Sequence, residues 1–278
     1  VILDRFEMSE AEKAGLEEYI RNVYATATEV KDYDDSYISA WDEVVSFADM
    51  LSGGDIVNEY ILKDKKIDFV EPEKIRVEVY DSFAGKIPVI YFENPKDFED
   101  FVAETVYEGK TPQNLKEIGA SIYSKDNTRF VVLSSKGYCN ISAKEMGLPE
   151  EVWHLTSMII RREHECTHCY TNRHFGISNF NLHDELMADF FGMYEAVGYY
   201  KAEDFLKFIG VLESSGKRID EFTEEMTPSQ KEAICEIAAI CAQNLEKWSN
   251  TDEFRAMTRQ DRVKYLCMAG IEGMFLGI

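Results

Sequence analysis

Between Pro149 and Gly176 the chain carries no residue that would break a helix. Proline suits the first turn, where its missing amide hydrogen is not needed, and glycine suits the stop, where the backbone turns left-handed. The stretch predicts one helix of roughly 27 residues, ~40 Å long. Downstream, the helical pattern resumes near His183 and again at about 202–214, 228–248 and 252–275. Ala233, Ile234, Ile237, Ala238, Cys241, Leu245 and Trp248 fall on one helical face and read as core.

Upstream, residues 8–64 also read as helices. Ser9 and Glu12 form a capping-box pattern ahead of Ala14, Leu16, Tyr19, Ile20 and Val23. A second stripe, Trp41, Val44, Val45, Ala48 and Leu51, stops at Gly53-Gly54. The period then changes. Ile75, Val77 and Val79 alternate with Arg76, Glu78 and Tyr80, and Ile87 to Phe92 is a denser apolar run; both read as strands. Residues 95–108 look helical, with Pro95 near the start. A hairpin follows, from Ala120 to Ser124 and Phe130 to Leu133, turning at Lys125-Asp126-Asn127. A further short strand is expected around Tyr138 to Ile141. The fold class is α+β: a small sheet with N-terminal helices, then a helix-rich C-terminal half. The expected division is an N-terminal lobe over 1–148 and a helical lobe over 149–278.

Composition narrows the function. Of 278 residues, 45% are hydrophobic and 13% aromatic, enough to build a buried core. The net charge of −22 repels a polyanion, so nucleic acid is not an expected partner. No apolar run approaches the ~20 residues of a membrane helix, and no basic stretch leads into an apolar one at the start. The six cysteines, Cys139, Cys166, Cys169, Cys235, Cys241 and Cys267, sit inside apolar helical patterns. That usage suits reduced thiols and a cytoplasmic protein.

The long helix carries His164-Glu165-Cys166-Thr167-His168. At about 100° per residue, the two histidines share one face a turn apart, and their rings can meet one ion. Glu165 lies beside them, close enough to touch a metal-bound water without replacing it. This is the HExxH pattern of zinc hydrolases, with Glu165 as general base. Cys166 and Cys169 form a C-x-x-C, but at mid-helix, where no dipole activates a thiol; they read as small buried residues. Arg161, one turn before His164, is either an electrophilic donor or an ion-pair partner for a carboxylate.

Zinc needs a third protein ligand. Glu185, in His183-Asp184-Glu185-Leu186-Met187-Ala188-Asp189, follows a loop that lets the chain reverse, and Asp189 lies one turn further on the same face. From there Asp189 could accept a hydrogen bond from the outer nitrogen of a ligating histidine. His174 is the competitor, since residues 164–174 read H-E-x-x-H-x-x-T-x-x-H. That spacing usually ends the helix at glycine; here a β-branched Thr171 stands instead, and the helix pattern continues to Gly176. Glu185 is favoured. His154 reads as structural or exposed, and His183 as a capping residue.

His164, Glu165, His168 and the Glu185-x-x-x-Asp189 segment resemble the gluzincin branch of zinc metallopeptidases, of which thermolysin is the best known. The segment from Arg162 to Gly192 also resembles uncharacterised bacterial proteins that share this core. The likeness covers about residues 149–200. It implies a zincin-like fold, a Zn2+ ion held by His164, His168 and Glu185, Glu165 as base and proton shuttle, and Asp189 orienting His164. It also implies a peptide or protein substrate, paired with a sheet edge for which Phe130 to Ser135 and Tyr138 to Ser142 are the candidates. One feature of the family is missing: no histidine follows His183, so a Tyr or Arg would have to stabilise the oxyanion. The expected function is a zinc metallopeptidase. The alternatives are a non-catalytic zincin-like binding module and a zinc hydrolase of non-peptide substrates.

Overall fold

The computed structural model describes the chain except Val1, Lys31, Asp32, Asp126, Asn127, Ser178, Phe180 and residues 213–217. It is mostly helical, with one small mixed sheet. In chain order the α-helices are α1 (Glu10–Ile20), α2 (Ile38–Val45), α3 (Gly53–Ile56), α4 (Pro95–Thr105), α5 (Ala143–Met146) and α6 (Glu150–Phe175). They continue with α7 (Leu182–Val197), α8 (Ala202–Ile209), α9 (Arg218–Thr223), α10 (Pro228–Ser249), α11 (Asp252–Ala256) and α12 (Arg259–Leu276). The strands are β1 (Ile75–Ser82), β2 (Gly85–Phe92), β3 (Ala120–Lys125) and β4 (Thr128–Ser134). No helix among the described residues is long and apolar enough to cross a membrane.

Two compact units make up the chain, one of Asp32–Cys166 and one of Val1–Lys31 with Thr167–Ile278. The packing thus divides the molecule inside α6, where the sequence pattern suggests a boundary at 148/149. The first 31 residues go with the helical unit because α1 is built to meet α10. Glu12 closes the α1 capping box with Ser9 and also accepts from the hydroxyls of Thr227 (2.7 Å) and Ser229 (2.6 Å), at the start of α10. One carboxylate therefore serves two helix beginnings, and these contacts draw it down to about 2.

In the Asp32–Cys166 unit the strand order is β1-β2-β4-β3, with β2 and β4 parallel and both outer pairs antiparallel. Residues Ile87 to Phe92 are all buried, as a dense apolar run should be when its strand has a neighbour on each side. One face carries Ile90, Phe92, Phe130 and Val132 against Trp41 of α2 and Phe98 and Phe101 of α4. The ring centroids of Phe92 and Phe101 are 5.2 Å apart and those of Trp41 and Phe130 5.3 Å. On the other face Tyr80 donates to Glu163 of α6 at 2.7 Å, and the guanidinium of Arg162 lies 3.9 Å from the Tyr80 ring. The sheet is thus sandwiched between helices.

Two expectations change here. Gly53 and Gly54 do not stop a helix; they open α3, capped by Ser52. A Cβ on Gly53 would sit 1.8 Å from the Ile75 carbonyl, so close backbone approach explains the glycine. Tyr138–Asn140 is a 3-10 turn rather than a strand, with Cys139 (φ 50°) and Asn140 (φ 59°) both left-handed. The hairpin at Ala120–Ser134 is present, although Asp126 and Asn127 of its turn lie outside the described residues.

The helical unit packs α10 against α12 and α8. The stripe from Ala233 to Trp248 is buried throughout. The span expected as one helix at 252–275 is two helices, because Thr258 caps a new start by accepting from the Asp261 amide at 3.2 Å. Within α12, Gly270 takes φ 65° and ψ −179°. Asn22 fills that break and donates to the carbonyls of Cys267 (3.0 Å) and Met268 (2.9 Å). All six cysteines are free thiols.

Candidate metal centre

α6 runs unbroken from Glu150 to Phe175 and stops at Gly176 (φ 65°). His164 and His168 therefore keep the spacing of one continuous helix, a turn apart. α7 starts where Asn181 accepts from the Asp184 amide at 3.1 Å and the Tyr19 hydroxyl accepts from the Leu182 amide at 3.0 Å. Its first three turns are buried, and they carry Glu185 (3% exposed) and Asp189 (0%).

This start brings Glu185 Oε1 to 3.4 Å from His168 Nε2. One ligand atom from each of His164, His168 and Glu185 falls within 4.8 Å of the others. Those are the three metal ligands expected from the sequence. His174 stays in α6, its ring 4.2 Å from that of Tyr170, and takes no part in the cluster. Helix continuation through Thr171 is the reason: without a left-handed break, the chain does not fold back there.

Further side chains support these ligands. At His164 Nδ1 the partner is the Tyr138 hydroxyl, 3.1 Å away. Asp189 also meets Arg218: a single guanidinium nitrogen lies 2.9 Å from Asp189 Oδ2 and 2.7 Å from Glu185 Oε2. Arg218 escapes sequence reasoning because it lies 33 residues beyond Glu185 with no local pattern to mark it. Tyr138 escapes because its segment looks like a strand.

Arg161 makes no ion pair among the described residues. It is buried (4% exposed) and donates to the main-chain carbonyls of Ser134 (3.1 Å), Lys136 and Gly137 (2.8 Å). Burial pulls its guanidinium down to about 10, which leaves it charged at neutral pH. Its role is to tie the loop after β4 to α6. Trp153 and Ser157 do the same: the indole donates to the Ile141 carbonyl at 2.7 Å, and Ser157 Oγ accepts from the Tyr138 amide at 2.9 Å.

Glu165 is half-buried and makes no hydrogen bond or ion pair among the described residues. His154 is exposed beside Glu150 (3.4 Å). His183 does not cap α7, since Asn181 does; it is buried, with Nε2 3.1 Å from the Leu266 carbonyl, and burial lowers its pKa to about 4. Asp184 accepts from Tyr24, and burial raises it to about 6. Cys166 is buried, as expected, and Cys169 is half-buried.

The proposed substrate edges are not edges. β4, with Phe130 to Ser134, lies inside the sheet between β2 and β3, and Tyr138 to Ser142 is not a strand. The outer strands are β1 and β3.

No curated protein and no solved structure gives a significant match to the chain. One family model does, over residues 122–274, a span that takes in β4, the Tyr138 turn, α6, α7 and Arg218. The chain belongs to that family, which is described as a family of unknown function, DUF7005.

Proposed function

We propose that this protein is a zinc-dependent hydrolase with a zincin-like arrangement, acting as a metallopeptidase. The observation that carries the reading is the convergence of His164, His168 and Glu185, with Glu165 next to His164 on the same helix. Two imidazoles and a carboxylate are a donor set that zinc takes in hydrolases. The 3.4 Å between His168 Nε2 and Glu185 Oε1 also fits. Two ligands of a tetrahedral zinc with bonds of ~2.0–2.1 Å stand roughly 3.3–3.4 Å apart. Arg218 holds Oε2 of Glu185, so Oε1, on the His168 side, is the oxygen that would hold the ion.

When bound, zinc supplies Lewis acidity, lowering the pKa of water and polarising a carbonyl. The chain does the rest. Glu165, unencumbered by a hydrogen bond, takes a proton from the attacking water and returns it to the leaving amine. Arg218 lends one positive charge to two buried carboxylates, which favours their standing side by side. A peptide substrate would pair with an outer strand, β1 or β3.

Metal analysis of purified protein tests the reading first. The wild type is expected to hold about one zinc per chain and a His164→Ala/His168→Ala variant almost none. Equal content in the two would end the proposal. Glu165→Gln then separates an enzyme from a binding module: it is expected to keep the metal and lose at least ~100-fold in peptide hydrolysis. Unchanged turnover would remove Glu165 from the mechanism.

A further inference from the structure

One face of α6 does more than present ligands. Trp153, Ser157 and Arg161 recur every fourth residue, and His164 continues the same face. The first three fasten the loop from Ser134 to Ile141 through its own main chain, with bonds to the carbonyls of Ser134, Lys136, Gly137 and Ile141 and to the Tyr138 amide. Space is made for this. A Cβ on Gly119 would lie 2.5 Å from Arg161 Nε, and one on Gly137 would lie 2.1 Å from the Ile141 carbonyl. The loop also holds two successive left-handed residues, Cys139 and Asn140. A non-glycine residue pays ~1–2 kcal/mol for that conformation, less for Asn. Strain kept against so many anchors points to something the loop delivers. What it delivers is the Tyr138 hydroxyl, buried, at His164 Nδ1.

We propose that Tyr138 is a positioning residue, which fixes the ring and tautomer of His164 so that Nε2 faces the metal, and that the Trp153–Ser157–Arg161 face holds Tyr138 in place. The inference rests on the zinc reading above. With the Tyr138 oxygen accepting, Nδ1 carries the proton and Nε2 its lone pair. A hydroxyl is a neutral acceptor, so it orients the imidazole without the added basicity that a carboxylate partner confers.

The test is Tyr138→Phe, read by Co2+ and Zn2+ affinity in competition with a chelator and by the visible Co2+ spectrum. The variant is expected to bind metal ~10- to 100-fold more weakly, with shifted Co2+ bands. A second measurement uses the unaltered protein: zinc-loaded chain with 15N-labelled histidine should show His164 protonated at Nδ1, its N–H slow to exchange. If the wild type binds metal and the variant matches it in affinity and spectrum, or if His164 carries its proton on Nε2, the assignment of Tyr138 fails while the zinc reading stands. If the wild type binds no metal, both fall. Should the variant not fold, the histidine spectrum decides alone.

Discussion

Two groups of ligand-supporting residues work by different physics. Around His164, a neutral hydroxyl stands on a loop whose carbonyls are captured by Arg161. Around Glu185, the carboxylates of Glu185 and Asp189 are held by opposite charge, from Arg218. Main-chain dipoles have no protonation state to lose and are aimed by the fold. A buried ion pair is sensitive to the removal of either partner, because the charge left behind has no water to solvate it. One side is therefore built for geometry and the other for charge balance.

The sharpest way to break this contrast is Arg218→Met. It removes the guanidinium that two buried carboxylates share, 3% and 0% exposed, and it is expected to cost about 3–5 kcal/mol of stability by denaturant unfolding. Adding Glu185→Gln and Asp189→Asn should recover most of the loss. A cost below ~1 kcal/mol would mean that charge does not organise this side. Arg161→Met comes next. It leaves unpaired carbonyls but no orphaned charge, so a smaller loss of about 2–3 kcal/mol is expected, and no carboxylate substitution should rescue it. Rescue by Glu165→Gln would show that Arg161 acts as an ion-pair partner after all. The smallest effect belongs to Glu12→Gln. The carboxyl of Glu12 sits near 2 in the folded chain, against an ordinary value of 4.5, so its stabilising share is present above pH 4.5 and lost as pH falls toward 2. The variant should flatten the acid limb of the stability curve below pH 4.5. An unchanged limb would show that the shared cap contributes nothing.

How much of this was legible in the residues follows from the range of the forces involved. The ligands were, because helix periodicity is local: His164 and His168 lie four apart, and a reversal of the chain delivers Glu185. The helix ends at Pro149 and Gly176, the Ser9–Glu12 box and the strands of the sheet are also local signals, and the structure contains them. The supporting groups were not. Nothing near Arg218 announces a partner 33 residues earlier. Tyr138-Cys139-Asn140-Ile141 has the composition of a strand, yet anchors from α6 force it into left-handed turns. Strand order, too, is a tertiary property: the hairpin signal places β3 on one side of Phe130 to Leu133, but nothing local says that β2 would lie parallel on the other.

Asn22 and the break at Gly270 carry one more consequence, for how the chain is made. The contact joins residues 245 apart in sequence, so the helical unit cannot finish until synthesis has passed Cys267. The Asp32–Cys166 unit is contiguous and can complete itself as it leaves the ribosome. Until the late helices arrive, α1 lacks the partners it meets in α10 and α12, whereas every strand of the sheet already has its neighbour.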